Sequence, residues 1–228
     1  YEISFNLKVI LLLMFMVAGI FFMKDLLLFI FTKLLLKVKN KTSVSMLFVF
    51  SAAFLSAFLD ALTVTAVLIS VAVGFYTVYH QAASGKDYLD EHDLNDDSNL
   101  DSDEEENLEK FKLFLCNLLM HGAVGTALGG ACTIVGEPQN LLIGSVADWD
   151  FIEFYLRMAP ITMPVLFAGL LTTLFLERFK ILGYGAQLPD KVRDILQAFD
   201  DNQARHLTSE LKAKLIIQLI IGLILMFS

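Results

Sequence analysis

Residues 44–79 carry one charge, Asp60, in an otherwise uncharged run: VSMLFVFSAAFLSAFLDALTVTAVLISVAVGFYTVY. As a single helix the run would be about 54 Å long, against a bilayer hydrocarbon core of about 30 Å. It is too long for one crossing and too short for two crossings joined by a turn. Two half-depth arms meeting near Asp60 fit the count, which makes a re-entrant hairpin. A bare aspartate at the centre of a bilayer costs roughly 2.5–3.5 kcal/mol on insertion scales, so something at that tip must offset it.

The rest of the chain belongs to the same environment. Uncharged stretches recur at 9–23, 113–136 and 158–176, the chain is 56% hydrophobic, and its mean hydropathy is +0.64. Several of these stretches are long enough to span a hydrocarbon core, which takes about 20 residues of helix. The expectation is an all-α polytopic membrane protein. The net charge of −8 is not a property of its whole surface, because nearly half of the 25 acids fall within residues 87–109. Nothing in this distribution suits nucleic acid.

The spacing of charge divides the chain into seven parts. Residues 1–43 form a first span and an apolar arm, whose Lys33, Lys37, Lys39 and Lys41 suit a helix lying in the interface with lysines snorkelling to water. Residues 44–79 form the hairpin and 80–112 an acidic hydrophilic loop. Residues 113–147 are a transmembrane helix broken within the bilayer, and 148–182 a further span, with Pro160 and Pro164 near its start. Residues 183–214 make a soluble, helical connector, and a further span opens at 215. The chain begins with Tyr1 and stops inside that last apolar run, which reads as an internal piece of a longer protein. If the hairpin returns to its own side, all 17 Lys and Arg except Lys8 and Arg157 lie on one face, as the positive-inside rule asks. If it crosses, the positive charges split between both faces.

The broken helix reads HGAVGTALGGACTIVGEPQNLLIG. Gly129, Gly130, Gly136 and Pro138 are poor occupants of a continuous helix. A break inside the membrane frees backbone polar groups, which are tolerated only where protein or a wet cavity receives them. Glu137 is a second carboxylate at that depth; its structural alternative is a helix cap. Thr133 and Asn140 offer oxygens beside it, as Ser56 and Thr63 do beside Asp60. Two breaks, each with a carboxylate and freed carbonyls, suit a hard, partly dehydrated monovalent cation and a proton. His121 precedes the glycines and is able to titrate near neutral pH; a structural bond to backbone is the commoner use of such a residue.

Other chemistries find little support. In the acidic insert, Asp93, Asn95, Asp97, Asn99, Asp101 and Glu104 fall at the ligand offsets of a calcium loop. Ser98 stands where the turn needs glycine, so a solvated loop is the better reading. Cys116 and Cys132 lack metal or pairing spacing and read as reduced, buried thiols. No phosphate loop, zinc spacing or hydrolase elbow occurs, so neither an enzyme nor a resident metal or cofactor is expected.

Four stretches carry a family likeness: LLLMFMVAGIFFMKDLLLFIFTKLLL, FLSAFLDALTVTAVLISVAVGFY, GTALGGACTIVGEPQNLLI and GYGAQLPDKVRDILQAFDD. Together they resemble the bacterial NhaB family of sodium/proton antiporters over nearly the whole chain outside the acidic insert. The resemblance implies the first of two inverted repeats, each with a re-entrant hairpin and a broken helix meeting at a central site. It also implies a multi-pass protein of the bacterial inner membrane. Its substrates would be sodium and protons, its partners the lipid bilayer and the second repeat, with a homodimer allowed. In dicarboxylate-transporting members of the wider superfamily the hairpin tip reads Ser-Asn-Thr and the broken helix Thr-Pro-Pro-Asn. Here the corresponding stretches read LDALT and GEPQN, with Asp60 in place of an amide and Glu137 in place of a hydroxyl. Those departures favour cation-for-proton exchange over sodium-coupled anion symport. An inert or regulatory membrane piece is the reading outside transport.

Overall fold

The computed structural model describes residues 26–27, 29–38, 40–84, 101–205 and 212–220. The first apolar stretch, residues 85–100 with four of the calcium-loop positions, and residues 221–228 lie outside them. The described residues are mostly helical, with no strand among them. Six helices follow in order: α1 (Lys41–Ser56), α2 (Ala61–Ala83), α3 (Ser102–Gly130), α4 (Pro138–Ala147), α5 (Phe151–Phe179) and α6 (Asp190–Arg205). Residues 29–37 and 212–220 are also helical. Three of the helices, α2, α3 and α5, are long and apolar enough to cross a membrane.

Local chemistry sets the helix ends. Asn40 caps α1 by accepting from the Thr42 amide at 3.1 Å, and Asp150 caps α5 by accepting from the Glu153 amide at 2.7 Å. Asp101 caps α3, whose first turn holds Asp103, Glu104 and Glu105, acids that complement the positive end of the helix dipole. The acidic stretch from 102 onward is therefore helix and not loop, and α3 starts well before its apolar part. Pro138 opens α4 at a position where a missing N–H costs nothing.

The α1–α2 pair folds back on itself around α3. Along α1, Val49 lies against Gly125 and Ala53 against Gly129, so α1 and α3 run in the same direction. Along α2 the order reverses: Thr65 meets Thr126, Leu68 meets Gly122, and Tyr79 meets Phe111. A Cβ on Gly125 would sit 2.5 Å from the Val49 carbonyl oxygen, and one on Gly129 would strike the Ala53 backbone. Glycine at these two places lets helix backbones approach as side chains would forbid. The outer ends of both arms lie beside α6, which donates from Arg193 to the Val38 carbonyl and places Lys191 near Tyr79. Lys191 also bonds Glu104 at 3.0 Å, bringing the start of α3 to the same end.

Two expectations about lengths and faces change here. The arms are unequal: by helical rise α1's 16 residues reach about 24 Å and α2's 23 residues about 35 Å, so α2 is no half-depth arm. The apolar side of residues 29–37 is in part turned to the protein, although Phe29 stays exposed. Phe31 and Leu35 are buried in the shared core with Phe48, Leu68, Phe75 and Phe114, and Lys33 pairs with Asp200 of α6 at 2.5 Å. α6 contributes Val192 and Leu196 to that core. Amphipathic α6 and the 29–37 helix thus close one end of the bundle.

Candidate functional site

The tip of the hairpin, residues 57–60, meets the break in the second apolar run, residues 131–137. The Thr133 hydroxyl donates to the Ala57 carbonyl and accepts from the Gly136 amide at 3.2 Å, tying the two interruptions together. Gly136 sits so close that a Cβ there would come 2.8 Å from the Ser56 carbonyl oxygen. Within the break, the Asn140 amide nitrogen donates to the Gly130 carbonyl at 3.0 Å and to the Thr133 carbonyl at 2.8 Å. The freed carbonyls that the glycines and Pro138 imply are thus partly satisfied from the start of α4. Gly129 and Gly130 themselves complete α3, and the chain departs from helix only at Ala131.

The candidate oxygens therefore divide by use. Ser56 donates to the Thr126 carbonyl at 2.7 Å and ties α1 to α3, Thr133 joins the two breaks, and the Asn140 side chain closes the second one. Asp60 is the N-cap of α2: its Oδ2 accepts from the Thr63 amide at 3.2 Å and the Thr63 hydroxyl at 3.3 Å. Its other oxygen, Oδ1, is buried with no hydrogen-bond partner, and the residue is 8% exposed. Half of this carboxylate thus serves the helix, while the other half remains an open acceptor. Glu137 stands at the N-cap position of α4 but makes no capping bond. It is half-buried, accepts from the Gln139 side chain at 3.4 Å, and lies near enough to Asp60 for the two charges to repel. The capping alternative weighed for Glu137 is the one Asp60 adopts.

His121 is not part of this cluster. It lies buried on α3 toward the α6 end, stacked on Tyr184 with ring centroids 4.6 Å apart. Its Nε2 is 3.0 Å from Glu177 Oε1, so its partner is a carboxylate and not the backbone. The same oxygen accepts from Ser45 at 2.9 Å and lies 3.5 Å from the Lys41 ammonium, which rests 4.3 Å from the centroid of the Phe114 ring. Glu177 was not singled out from the sequence and Lys41 was read only as a snorkelling lysine, because each sits at the edge of an apolar run, where charge is ordinary. The available signal was His121 itself, a polar ring at depth that required a partner. Of the two thiols, Cys132 is buried and donates to the Leu128 carbonyl, whereas Cys116 is exposed. Among the described residues no cluster of His, Cys, Asp and Glu is arranged to hold a resident metal.

Comparison with known proteins bears on what this arrangement does. The family described as bacterial Na+/H+ antiporter B (NhaB) matches over residues 1–228. The chain is similar to the Na(+)/H(+) antiporter NhaB of Marinomonas sp. (strain MWYL1), with 61% identity over all of this chain and 46% of that protein. It is 59% identical to the protein of that name from Pseudoalteromonas atlantica, over 98% of this chain and 42% of the relative. With the one from Teredinibacter turnerae it shares 58% identity over 100% of this chain and 46% of the relative. No solved structure matches. The chain spans less than half the length of these curated relatives. The match along its whole length shows that this chain belongs to the NhaB family of bacterial Na+/H+ antiporters.

Proposed function

We propose that this chain supplies one half of an inner-membrane sodium/proton antiporter, in which Asp60 alternately carries a proton and a sodium ion. The observation that carries this reading is the unpartnered Oδ1 of Asp60, buried where two helix interruptions meet. Burial disfavours a charged carboxylate, and either a proton or a bound cation relieves that penalty. A group that holds one or the other exchanges them in opposite directions when the site is exposed to each side in turn. The dipole at the start of α2 supports the negative charge between the two loaded states. Glu137 adds a second carboxylate at the edge of the same site, and the hydroxyls of Thr63, Thr133 and Ser56 add neutral oxygen.

The rest of the reading follows the same geometry. The α1–α2 pair is a re-entrant hairpin whose longer arm, α2, extends beyond the hydrocarbon at its outer end, and both outer ends face the cytoplasm, as the positive-inside rule favours and as their common packing against α6 supports. The remainder of the relatives' length supplies the second repeat, against which this half moves. Full-length protein in everted membrane vesicles tests the function. Added sodium should drive protons across the membrane, with no requirement for a co-transported anion. Sodium uptake that needs an organic anion and moves no protons would replace antiport with symport.

A further inference from the structure

The bonds that hold the two arms of the hairpin near its tip converge on one residue of α3, Thr126. It lies between Gly125 and Gly129, where glycine lets α3 approach α1. It also shares a helix face with Gly122, which meets Leu68 of α2. The residue is 2% exposed. Ser56, the last residue of α1, donates to the Thr126 carbonyl at 2.7 Å. From the other arm, the Thr65 hydroxyl lies 3.1 Å from the Thr126 hydroxyl. Thr126 donates its own hydroxyl proton to the Ala123 carbonyl at 2.9 Å, so Thr65 is the donor in that pair. Both arms are therefore bonded to a single residue, from positions on either side of Asp60. The Thr65 bond ties the beginning of α2, the helix that Asp60 caps, to α3.

We infer that Thr126 is a positioning residue for exchange: it holds the hairpin tip so that Asp60 Oδ1 stays in register with the break at 131–137. This rests on the reading that Asp60 carries a proton and a sodium ion in turn. The two loads respond differently to position. A proton binds one carboxylate oxygen and needs no second ligand. A sodium ion needs several oxygens at once, and such a constellation has to be held to within about 0.5 Å. Loosening the tip therefore weakens sodium binding and leaves protonation of Asp60 in place. Lost packing alone would lower stability without separating the two ions.

The test uses full-length protein in everted vesicles, with proton flux measured against sodium concentration at several pH values, beside thermal unfolding of the purified variants. Thr126→Val keeps the side chain's shape and removes its hydroxyl. It should raise the sodium KM about tenfold, the effect of a sub-ångström displacement at a binding centre. The maximal rate should stay within about twofold, because the change acts on binding and not on the moving step. The pH at which proton competition begins to raise the sodium KM should be the same as in the parent. Thr126→Ser restores the hydroxyl and should return the KM to the parent value. Thr65→Val removes the same bond from the other side, so it should match Thr126→Val, and the double variant should be no worse than either single. Thr77→Val is the control: that hydroxyl bonds the Val73 carbonyl of its own helix at 2.9 Å, and its loss should leave the KM unchanged.

A parental KM in both Thr126→Val and Thr65→Val would overturn the inference. So would an equal rise in Thr126→Ser, or a double variant whose loss is the product of the two singles. Asp60→Asn tests the underlying reading by itself. Flux in that variant would overturn both assignments, whereas a parental KM in the threonine variants beside an inactive Asp60→Asn would remove the tether alone.

Discussion

Asp60→Asn separates the two uses of this carboxylate. In the structure Oδ2 caps α2 through Thr63, while Oδ1 has no partner. Asparagine is as good an N-cap as aspartate, so the carbonyl of the new side chain retains the Thr63 bonds. What is lost on the folded side is the favourable placement of a charge at a helix N-terminus, about 0.3–1 kcal/mol. Against that, removing a buried charge relieves part of its desolvation cost. The variant should insert normally and differ in stability by no more than about 1 kcal/mol from its parent. Asp60→Ala removes the cap as well and should cost about 0.5–2 kcal/mol through that loss alone. Transport should not follow this order. Both variants lack a titratable group and should reduce sodium-driven proton flux to background at matched protein levels. The assay is proton flux in everted vesicles across pH, beside thermal unfolding of the purified variants. Near-normal flux with Asp60→Asn, together with loss in Asp60→Ala, would show that capping is the residue's whole role.

Gly129→Ala places a methyl group on the Ala53 backbone and should destabilise by about 1–3 kcal/mol. Gly74→Ala, where a Cβ meets nothing within 4 Å, should be neutral or stabilise by up to about 1 kcal/mol, and equal midpoints for the two would refute the close α1–α3 approach. Glu177→Gln strips the carboxylate from the Lys41 ammonium and His121 and should cost about 3–5 kcal/mol in thermal or denaturant unfolding. Pairing it with Lys41→Met should recover much of that loss, because the uncompensated charge is gone; no recovery would mean the ion pair is not the cause. Single cysteines at Asn40 and Ser84, on either side of the hairpin, should react with an impermeant thiol reagent from the same face of the membrane. Labelling from opposite faces would make α1–α2 a crossing and end the re-entrant topology.

Much of this protein was legible before any coordinates. Long uncharged runs can satisfy their backbones in hydrocarbon only as helices, so the all-helical class follows from composition and spacing. The breaks near Asp60 and at 131–137 were also readable, because a lone charge and a cluster of Gly and Pro resist continuation of an apolar helix wherever the chain folds. Other features depended on which faces meet. That Asp60 spends one oxygen on Thr63 while Glu137 caps nothing rests on backbone angles at each break, and both residues look alike as carboxylates in apolar sequence. The unequal arms follow from α2 continuing past the uncharged run to Ala83, an end that hydropathy does not mark. The bond between His121 and Glu177 joins residues 56 apart in sequence, and Lys41 reaches the same oxygen from a third helix. No local pattern encodes such a meeting. It arises because Gly125 and Gly129 let α1 close against α3, and because α5 packs beside both, bringing three helix faces into one register.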